Sequence, residues 1–263
     1  MPKEGAARFR EWIDERRRTY TGRRSTIVLI PWASECCDEE LINSYCQWMS
    51  FSEDDPAKAE IVMAPSKAFM MEEGMHERAL DRMRDLCGSG SGSSSAVFFC
   101  GGDQVKITEV IYTIPGLKSF FEMVYNNGLP FAGTSAGCAV MSSTMITGEG
   151  NFDVIDHQQV ETKTGLGFVV NAVLDQHFVA RRRLNRLLSV MSGSREIYGI
   201  GIDEEMAVAV VDDVYCEVLG AASCVILIEK PERHQQAQQA SESEFSIKIL
   251  RSGDKFEINR GPK

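Results

Sequence analysis

Short apolar runs alternate with amphipathic segments along the first half of the chain. Apolar, β-rich runs bounded by small residues or proline predict buried parallel strands at 25–34, 59–65 and 96–100. Apolar positions at helical spacing predict helices at 1–18, 38–49, 72–87 and 119–128. Strands that alternate with helices in this way favour an α/β fold, with a mostly parallel sheet flanked by helices.

The second half of the chain has a different pattern. Segments 198–220 and 222–230 predict antiparallel strands linked by hairpins, with the pair Asp212-Asp213 forming one turn. A polar, Gln-rich stretch at 235–244 predicts a solvated hairpin loop. Because neither an internal repeat nor a linker interrupts the chain, we expect one α/β domain over residues 1–263.

Composition adds limits on partners and location. The 263 residues include 28 Lys or Arg and 38 Asp or Glu, and the net charge of −10 disfavours nucleic acid and anionic membranes as partners. No apolar run is long enough to span a bilayer, and the N-terminal segment lacks the apolar core of a signal peptide. The eight cysteines lack C-x-x-C spacing, which disfavours zinc and favours reduced thiols. We therefore expect a cytoplasmic protein.

The segment 129–137 predicts a short strand that runs into a tight turn, and Gly133 to Gly137 match the pattern G-x-S-x-G. Such a turn between a strand and a helix exposes a serine hydroxyl at the edge of a sheet, so Ser135 is a candidate nucleophile. A helix that begins near Ala136 would direct its positive end toward a developing oxyanion. The pattern alone is weak, because a tight packing turn can contain the same residues.

A nucleophilic serine needs a general base, and the chain has four histidines. His76 and His234 lie in polar surroundings, which disfavours both as the base. The sequence around His157 does not indicate its role. His177 lies between an apolar strand and a basic helix, where a side chain can meet the serine turn. Considered alone, His177 could equally be a packed structural histidine. With Ser135 in the same chain, we interpret it as the base.

The third member of a triad is a carboxylate that orients the imidazole. Glu204 stands where a glycine-bounded apolar strand gives way to acids, and strand alternation would point it inward while Asp203 and Glu205 face away. Glu149 is the competitor, on a turn between two glycines that we expect to be more mobile. The order Ser–His–Glu differs from that of α/β-hydrolases, which is permitted because geometry defines a triad.

A second Gly-rich turn follows the strand at 96–100. The backbone amides of Gly101, Gly102 or Asp103 could supply one oxyanion donor, with the Ala136 amide as the other. The sequence signatures of dinucleotide sites and phosphate-binding P-loops are absent.

A run of arginines begins the predicted basic helix after His177: Arg181, Arg182, Arg183 and Arg186. Such a run is usually a solvated face. Arg183 and Arg186 are three residues apart, however, so they share a helix face and could clamp a carboxylate.

Five segments of the chain resemble the cyanophycinases, serine exopeptidases of the wider family that includes aspartyl dipeptidase: FFCGGDQ, AGTSAGCAVMS, TGLGF, LDQHFVARRRLNRLL and GIGIDEEMA. The resemblance covers roughly residues 25–228 in family order. It implies a class-I-glutamine-amidotransferase-like sandwich and a Ser135–His177–Glu204 triad. It also implies a substrate pocket lined by Gln104, Asp175, Gln176, Arg181, Arg183 and Arg186.

The family substrate is cyanophycin, a polyaspartate backbone with arginine on each β-carboxyl, and cleavage releases β-Asp-Arg dipeptides. The family uses neither a metal nor an organic cofactor. The resemblance therefore predicts a cofactor-free serine exopeptidase acting on cyanophycin or aspartyl-arginine peptides. A homodimer is a candidate assembly, although the sequence does not determine the oligomeric state. The alternatives are a related aspartyl or isoaspartyl dipeptidase and a non-catalytic binding module on the same fold.

The chain departs from the family in three places. Family members usually open with a further strand and a Gly-rich turn, where we expect only a helix in this chain. Cys138 stands where the family usually has Ala, and the polar stretch at 235–244 is extra. None of these departures removes a proposed catalytic residue.

Overall fold

A computed structural model describes six stretches of the chain: 2–19, 25–34, 39–49, 59–87, 96–231 and 243–259. It divides into two compact units. One contains Ala6–Cys138, and the other combines Met1–Gly5 with Ala139–Lys263. The predicted polar loop at 235–244 lies almost entirely outside the described residues.

The Ala6–Cys138 unit is built on a four-stranded parallel sheet. Its strands are β1 (Thr26–Ile30), β2 (Glu60–Met63), β3 (Ala96–Phe99) and β4 (Phe131–Gly133), in the order β2-β1-β3-β4. The helices are α1 (Lys3–Thr19), α2 (Glu39–Met49), α3 (Lys67–Met71), α4 (His76–Cys87), α5 (Gln104–Thr113), α6 (Leu117–Asn126) and the single turn α7 (Ala136–Ala139).

Helices cover both faces of this sheet, and two adjacent phenylalanines of β3 mark the two sides. Neighbouring residues of a strand point to opposite faces. The ring of Phe98 meets Phe9 of α1 at 6.0 Å and Tyr45 of α2 at 5.2 Å, between ring centroids. The ring of Phe99 meets Phe121 of α6 at 5.7 Å. The predicted parallel sheet flanked by helices is therefore confirmed.

The other unit contains mixed and antiparallel sheets. Its strands are β5 (Thr144–Gly150), β6 (Val160–Thr164), β7 (Ala172–Gln176), β8 (Tyr198–Ile202), β9 (Met206–Val211), β10 (Tyr215–Gly220), β11 (Val225–Glu229), β12 (Ser246–Leu250) and β13 (Lys255–Glu257). Helix α8 (Leu184–Gly193) follows β7. The sheets have the orders β12-β11-β8-β7, β13-β10-β9 and β5-β6, and β7 with β8 is their only parallel pair of strands within the described residues.

The antiparallel pattern predicted for the second half is confirmed, including the turn at Asp212-Asp213 between β9 and β10. Both aspartates have positive φ, 53° and 57°. With Val214 they form the three-residue connection between the paired residues Val211 and Tyr215. The predicted run 198–220 nevertheless spans two sheets, because β8 pairs with β7 and β11 while β9 pairs with β10.

Two predicted helices have different bounds, and a third helix was not predicted. The one predicted at 72–87 begins only at His76, because a turn containing Gly74 at φ 78° precedes it. The helix expected after Ser135 is the single turn α7, and β5 follows soon after. Helix α5 was not predicted, because a Gly-rich turn precedes it. It begins after Asp103, whose carboxylate caps the helix by accepting a hydrogen bond from the Val105 N–H.

The stability of this unit depends on Phe98. Its side chain is fully buried, and we expect Phe98→Ala to lower the free energy of unfolding by about 3–5 kcal/mol, because the cavity cannot collapse between rings on neighbouring elements. Urea unfolding followed by circular dichroism measures this change. Tyr112→Ala on α5, where the side chain is 46% exposed, is the control and should change far less.

Candidate active site

Ser135 lies on the predicted turn between a strand and a helix. Strand β4 ends at Gly133, helix α7 begins at Ala136, and Ser135 has φ 52°. A positive φ at a residue with a side chain costs about 1–3 kcal/mol, and such strain persists only where the surrounding structure imposes it. A strained serine on a strand-to-helix turn is the geometry of a nucleophile elbow.

The glycines of the motif are required by backbone packing. A Cβ on Gly137 would lie 2.1 Å from the carbonyl oxygen of Phe99, and one on Gly133 would lie 2.2 Å from the Gly137 carbonyl oxygen. Both distances are far below van der Waals contact. The turn therefore packs directly against the end of β3, and this close approach imposes the conformation of Ser135.

The Gly-rich turn after β3 lies beside the serine turn. A Cβ on Gly101 would lie 3.3 Å from the Cβ of Ser135. Gly102 has φ 136°, and a Cβ there would lie 2.3 Å from the Ala33 carbonyl oxygen. That same oxygen accepts a hydrogen bond from the Asp103 N–H at 2.9 Å. The Asp103 amide thus already has an acceptor, contrary to its prediction as an oxyanion donor.

Two amides of these turns remain as candidate oxyanion donors. The Gly101 N–H donates to the Tyr45 hydroxyl at 3.4 Å. The N–H groups of Gly102 and Ala136 donate a hydrogen bond to none of the described residues. Ala136 is the first residue of α7, where an amide has no acceptor within its helix.

His177 and Glu204 form a hydrogen-bonded pair in the other unit. Nδ1 of His177 lies 3.0 Å from Oε1 of Glu204, with the imidazole 25% and the carboxylate 55% exposed. An ionised carboxylate only accepts hydrogen bonds, so this contact assigns the proton to Nδ1 and the lone pair to Nε2. His177 follows the end of β7 and has φ 49°, a second strained residue.

Asp203 ties the turn after His177 to the end of β8. It is buried, and its carboxylate accepts hydrogen bonds from the backbone N–H groups of Val179 and Ala180, at 3.0 and 2.9 Å, and from the Ser223 hydroxyl. Burial alone would raise the pKa of Asp203, but these hydrogen bonds outweigh it and lower the pKa. The expected orientation is thus wrong: Asp203 points inward and Glu204 is exposed.

Glu149 lies in strand β5, exposed, and not on the turn that the sequence predicted. Its own N–H donates to the Thr147 hydroxyl at 3.2 Å, beside an irregularity in the pairing of β5 with β6 between Ile146 and Gly150. His177 is paired with Glu204 instead.

Asp175 and Arg186 form a buried ion pair. Asp175 is 1% exposed within β7, and the Arg186 guanidinium contacts both carboxylate oxygens, with Nε 2.7 Å from Oδ2. The guanidinium also lies over the ring of Phe152, 5.3 Å from its centroid. The Arg186 guanidinium already has Asp175 as its carboxylate partner. It therefore does not form half of the exposed carboxylate clamp that the sequence predicted.

Arg183 completes this cluster from the residue before α8. Its Nη1 donates to the Gln176 carbonyl oxygen at 2.5 Å and lies 3.5 Å from Oδ1 of Asp175. Burial and the nearby Arg186 lower the pKa of Arg183 to about 10, with Asp175 opposing the shift. The guanidinium stays charged at neutral pH.

The three other predicted pocket residues, Arg181, Gln176 and Gln104, lie on different elements. Arg181 is exposed on the turn before α8, which begins at Leu184 and not, as expected, at the arginines. Gln176 ends β7, buried, next to Asp175, whose carboxylate accepts its backbone N–H. Gln104 is the buried first residue of α5, in the other unit.

The described residues contain no group of three or more His, Cys, Asp or Glu side chains that could hold a metal ion. Nor does any described helix have both the length and the apolar character needed to cross a membrane.

A serine on a strained strand-to-helix turn and a histidine oriented by a carboxylate are the parts of a serine hydrolase site. The sequence model of peptidase family S51 matches residues 74–217, more than half of the chain, and the match includes Ser135, His177 and Glu204. The chain belongs to peptidase family S51.

Curated relatives carry the name cyanophycinase. The one from Trichormus variabilis is 34% identical over 170 residues, 62% of this chain and 57% of that protein. The one from Geminocystis herdmanii is 35% identical over 133 residues, 51% of this chain and 49% of that protein. The chain thus spans about half the length of the curated relatives it matches.

A solved structure has the same fold. The crystal structure of a peptidase from an acI-B1 Actinobacterium superposes with a TM-score of 0.61 at 17% identity, covering 96% of this chain and 91% of that one. At this level of identity the likeness supports the fold alone.

The role of Asp203 gives a pH-dependent prediction. Its folded pKa is lowered, so its contribution to stability is present above its unfolded pKa of about 3.9 and is lost as the pH falls through the folded pKa. Asp203→Asn should lower the free energy of unfolding at pH 6 by about 1–3 kcal/mol, and the difference from wild type should shrink toward pH 2.

Urea unfolding at a series of pH values measures this difference. Asp85→Asn, at an exposed position of α4, is the matched control and should follow the wild-type curve. A gap between Asp203→Asn and wild type that is the same at every pH would contradict the assigned role of the ionised carboxylate.

Proposed function

We propose that the chain is a serine exopeptidase that uses Ser135, His177 and Glu204 as a catalytic triad. The observation that carries this proposal is the 3.0 Å contact between His177 and Glu204, which leaves the imidazole with its basic nitrogen at Nε2. Membership of a peptidase family and the strained turn at Ser135 support it.

The reaction then follows the order of a serine peptidase. Nε2 of His177 removes the hydroxyl proton of Ser135 while Oγ attacks the scissile carbonyl carbon, and Glu204 stabilises the imidazolium that forms. The N–H groups of Gly102 and Ala136 bind the oxyanion. The imidazolium gives its proton to the leaving amine, which departs as the acyl-enzyme forms. Water, deprotonated by the same imidazole, releases the acyl group and restores the serine.

We further propose cyanophycin, or aspartyl-arginine peptides derived from it, as the substrate. The curated relatives are named cyanophycinase. The backbone of that polymer ends in aspartyl carboxylates, and an arginine fork binds a carboxylate with two parallel hydrogen bonds. Arg181, exposed four residues after His177, offers such a fork. The buried Asp175–Arg186 ion pair supports the segment that contains Arg181, because Asp175 also contacts Arg183 in that segment.

The substrate proposal is tested with purified cyanophycin, and the products are identified by mass spectrometry. We expect β-Asp-Arg dipeptides from the wild type. Cleavage of isoaspartyl dipeptides without attack on the polymer would indicate the related dipeptidase instead. Hydrolysis of neither, with no adduct at Ser135 from an organophosphonate, would indicate a binding module.

The nucleophile is tested with Ser135→Ala. Loss of a triad member lowers kcat by several powers of ten, about 10⁴-fold or more, while removal of one hydroxyl from a small-residue turn should leave the fold intact. Ser192→Ala, which removes a hydroxyl bonded to the Ser189 carbonyl oxygen of α8, is the control and should keep wild-type turnover. More than about a tenth of wild-type kcat in Ser135→Ala would rule out this nucleophile.

The acid is tested with two isosteric variants, Glu204→Gln and Glu149→Gln. A glutamine at 204 removes the charge that stabilises the imidazolium, so kcat should fall by orders of magnitude, about 10²-fold or more, with unchanged circular dichroism. Glu149→Gln should cost little, because that side chain is exposed on β5. Loss of turnover only in Glu149→Gln would reverse the assignment.

A further inference from the structure

The hydroxyl of Tyr45 contacts the Gly-rich turn after β3. It accepts a hydrogen bond from the Gly101 N–H at 3.4 Å. A phenol oxygen can accept such a bond while its own proton points elsewhere, so this contact needs no change in the state of the tyrosine.

Tyr45 is itself held in place. Its ring packs against Phe98 of β3, with 5.2 Å between the centroids, and Trp48, one turn later on α2, packs against the same phenylalanine at 5.7 Å. Burial raises the pKa of the Tyr45 phenol further above its ordinary value of about 10. The hydroxyl is thus a fixed point beside the turn.

The turn that Tyr45 contacts carries a candidate oxyanion donor. With the Gly101 amide bonded to Tyr45 and the Asp103 amide bonded to the Ala33 carbonyl oxygen, Gly102 lies between two anchored amides. The direction of the Gly102 N–H is set by these two neighbours. A shift of a donor by about 1 Å can lower a catalytic rate about 10²-fold, so the anchors matter to chemistry.

We propose that Tyr45 is a positioning residue, whose hydroxyl holds the turn after β3 so that the Gly102 amide stays directed at the oxyanion formed on the Ser135 side of the site. This inference rests on the proposed peptidase function for its consequence in catalysis, but the anchoring itself is a property of the Ala6–Cys138 unit. Tyr45 does not touch the reacting atoms in this role.

Tyr45→Phe is the direct test, because it removes the hydroxyl and keeps the ring against Phe98. Tyr112→Phe on α5 is the matched control, since it removes a hydroxyl from an exposed ring. We expect hydrogen–deuterium exchange in a peptide covering residues 99–104 to become several-fold faster in Tyr45→Phe and to stay at the wild-type rate in Tyr112→Phe.

Kinetics give the second readout. Tyr45→Phe should lower kcat about tenfold, less than the 10²–10³ lost with an entire oxyanion donor, and leave KM within about twofold. The affinity for a peptide aldehyde, whose adduct carries the oxyanion, should fall in parallel with kcat. A merely structural tyrosine would change the melting temperature without this division between kcat and KM.

The outcomes separate the two proposals. Unchanged exchange at 99–104 in Tyr45→Phe overturns the anchoring, whether or not the chain hydrolyses peptides. Faster exchange with wild-type kcat overturns the role in catalysis. Full activity in Ser135→Ala overturns the proposed peptidase mechanism, and the exchange experiment still decides whether Tyr45 holds the turn.

Discussion

Backbone packed against backbone at the end of β3 is the constraint on which the candidate site depends. The Phe99 carbonyl oxygen occupies the space where a side chain of Gly137 would project, and the Ala33 carbonyl oxygen does the same for Gly102. Each of these backbone segments can approach the carbonyl oxygen this closely only because glycine has no side chain. The strained backbone of Ser135 lies within this closely packed region.

Buried carboxylates organise the histidine side in a comparable way. Asp175 and Asp203 lie at or beyond the ends of the parallel neighbours β7 and β8, and each collects donors from the segment between His177 and Arg186. A buried charge is tolerated only when its hydrogen-bonding capacity is filled. Asp203 fills it with backbone amides and the Ser223 hydroxyl, and Asp175 with guanidinium groups and the Gln176 amide. The loop that carries His177 is therefore fixed from two sides by groups that do not take part in bond making.

The sequence was sufficient for the parts of the fold that local patterns determine. Continuous apolar runs identified β1 and β3 because both faces of a parallel sheet are buried. The glycine pattern identified the Ser135 turn, and the acid-rich strand end identified the neighbourhood of Glu204. Helix α5 was missed because its cap, Asp103, follows two glycines that suggest only a loop.

What the sequence could not supply were orientations and partners set by distant residues. Alternation along a strand no longer applies beyond its last paired residue, Ile202, so the inward position of Asp203 was not predictable from β8. Asp175 and Arg186 are separated along the chain by irregular turns, and the hydrophobic pattern of the sequence does not predict the path of such turns. Such contacts depend on tertiary structure. For this reason the arginine run, which the sequence suggests is a solvated face, includes one buried residue, Arg186.

The tether between Asp203 and the amides of Val179 and Ala180 has a consequence for the freedom of the histidine pair. The chain leaving His177 and the chain entering Glu204 are joined by hydrogen bonds two and three residues after His177 and one residue before Glu204. The separation of the imidazole and the carboxylate is then governed by side-chain torsions and hardly by loop motion. The entropy of ordering this backbone is lost when the chain folds, and it need not be lost again each time a substrate binds.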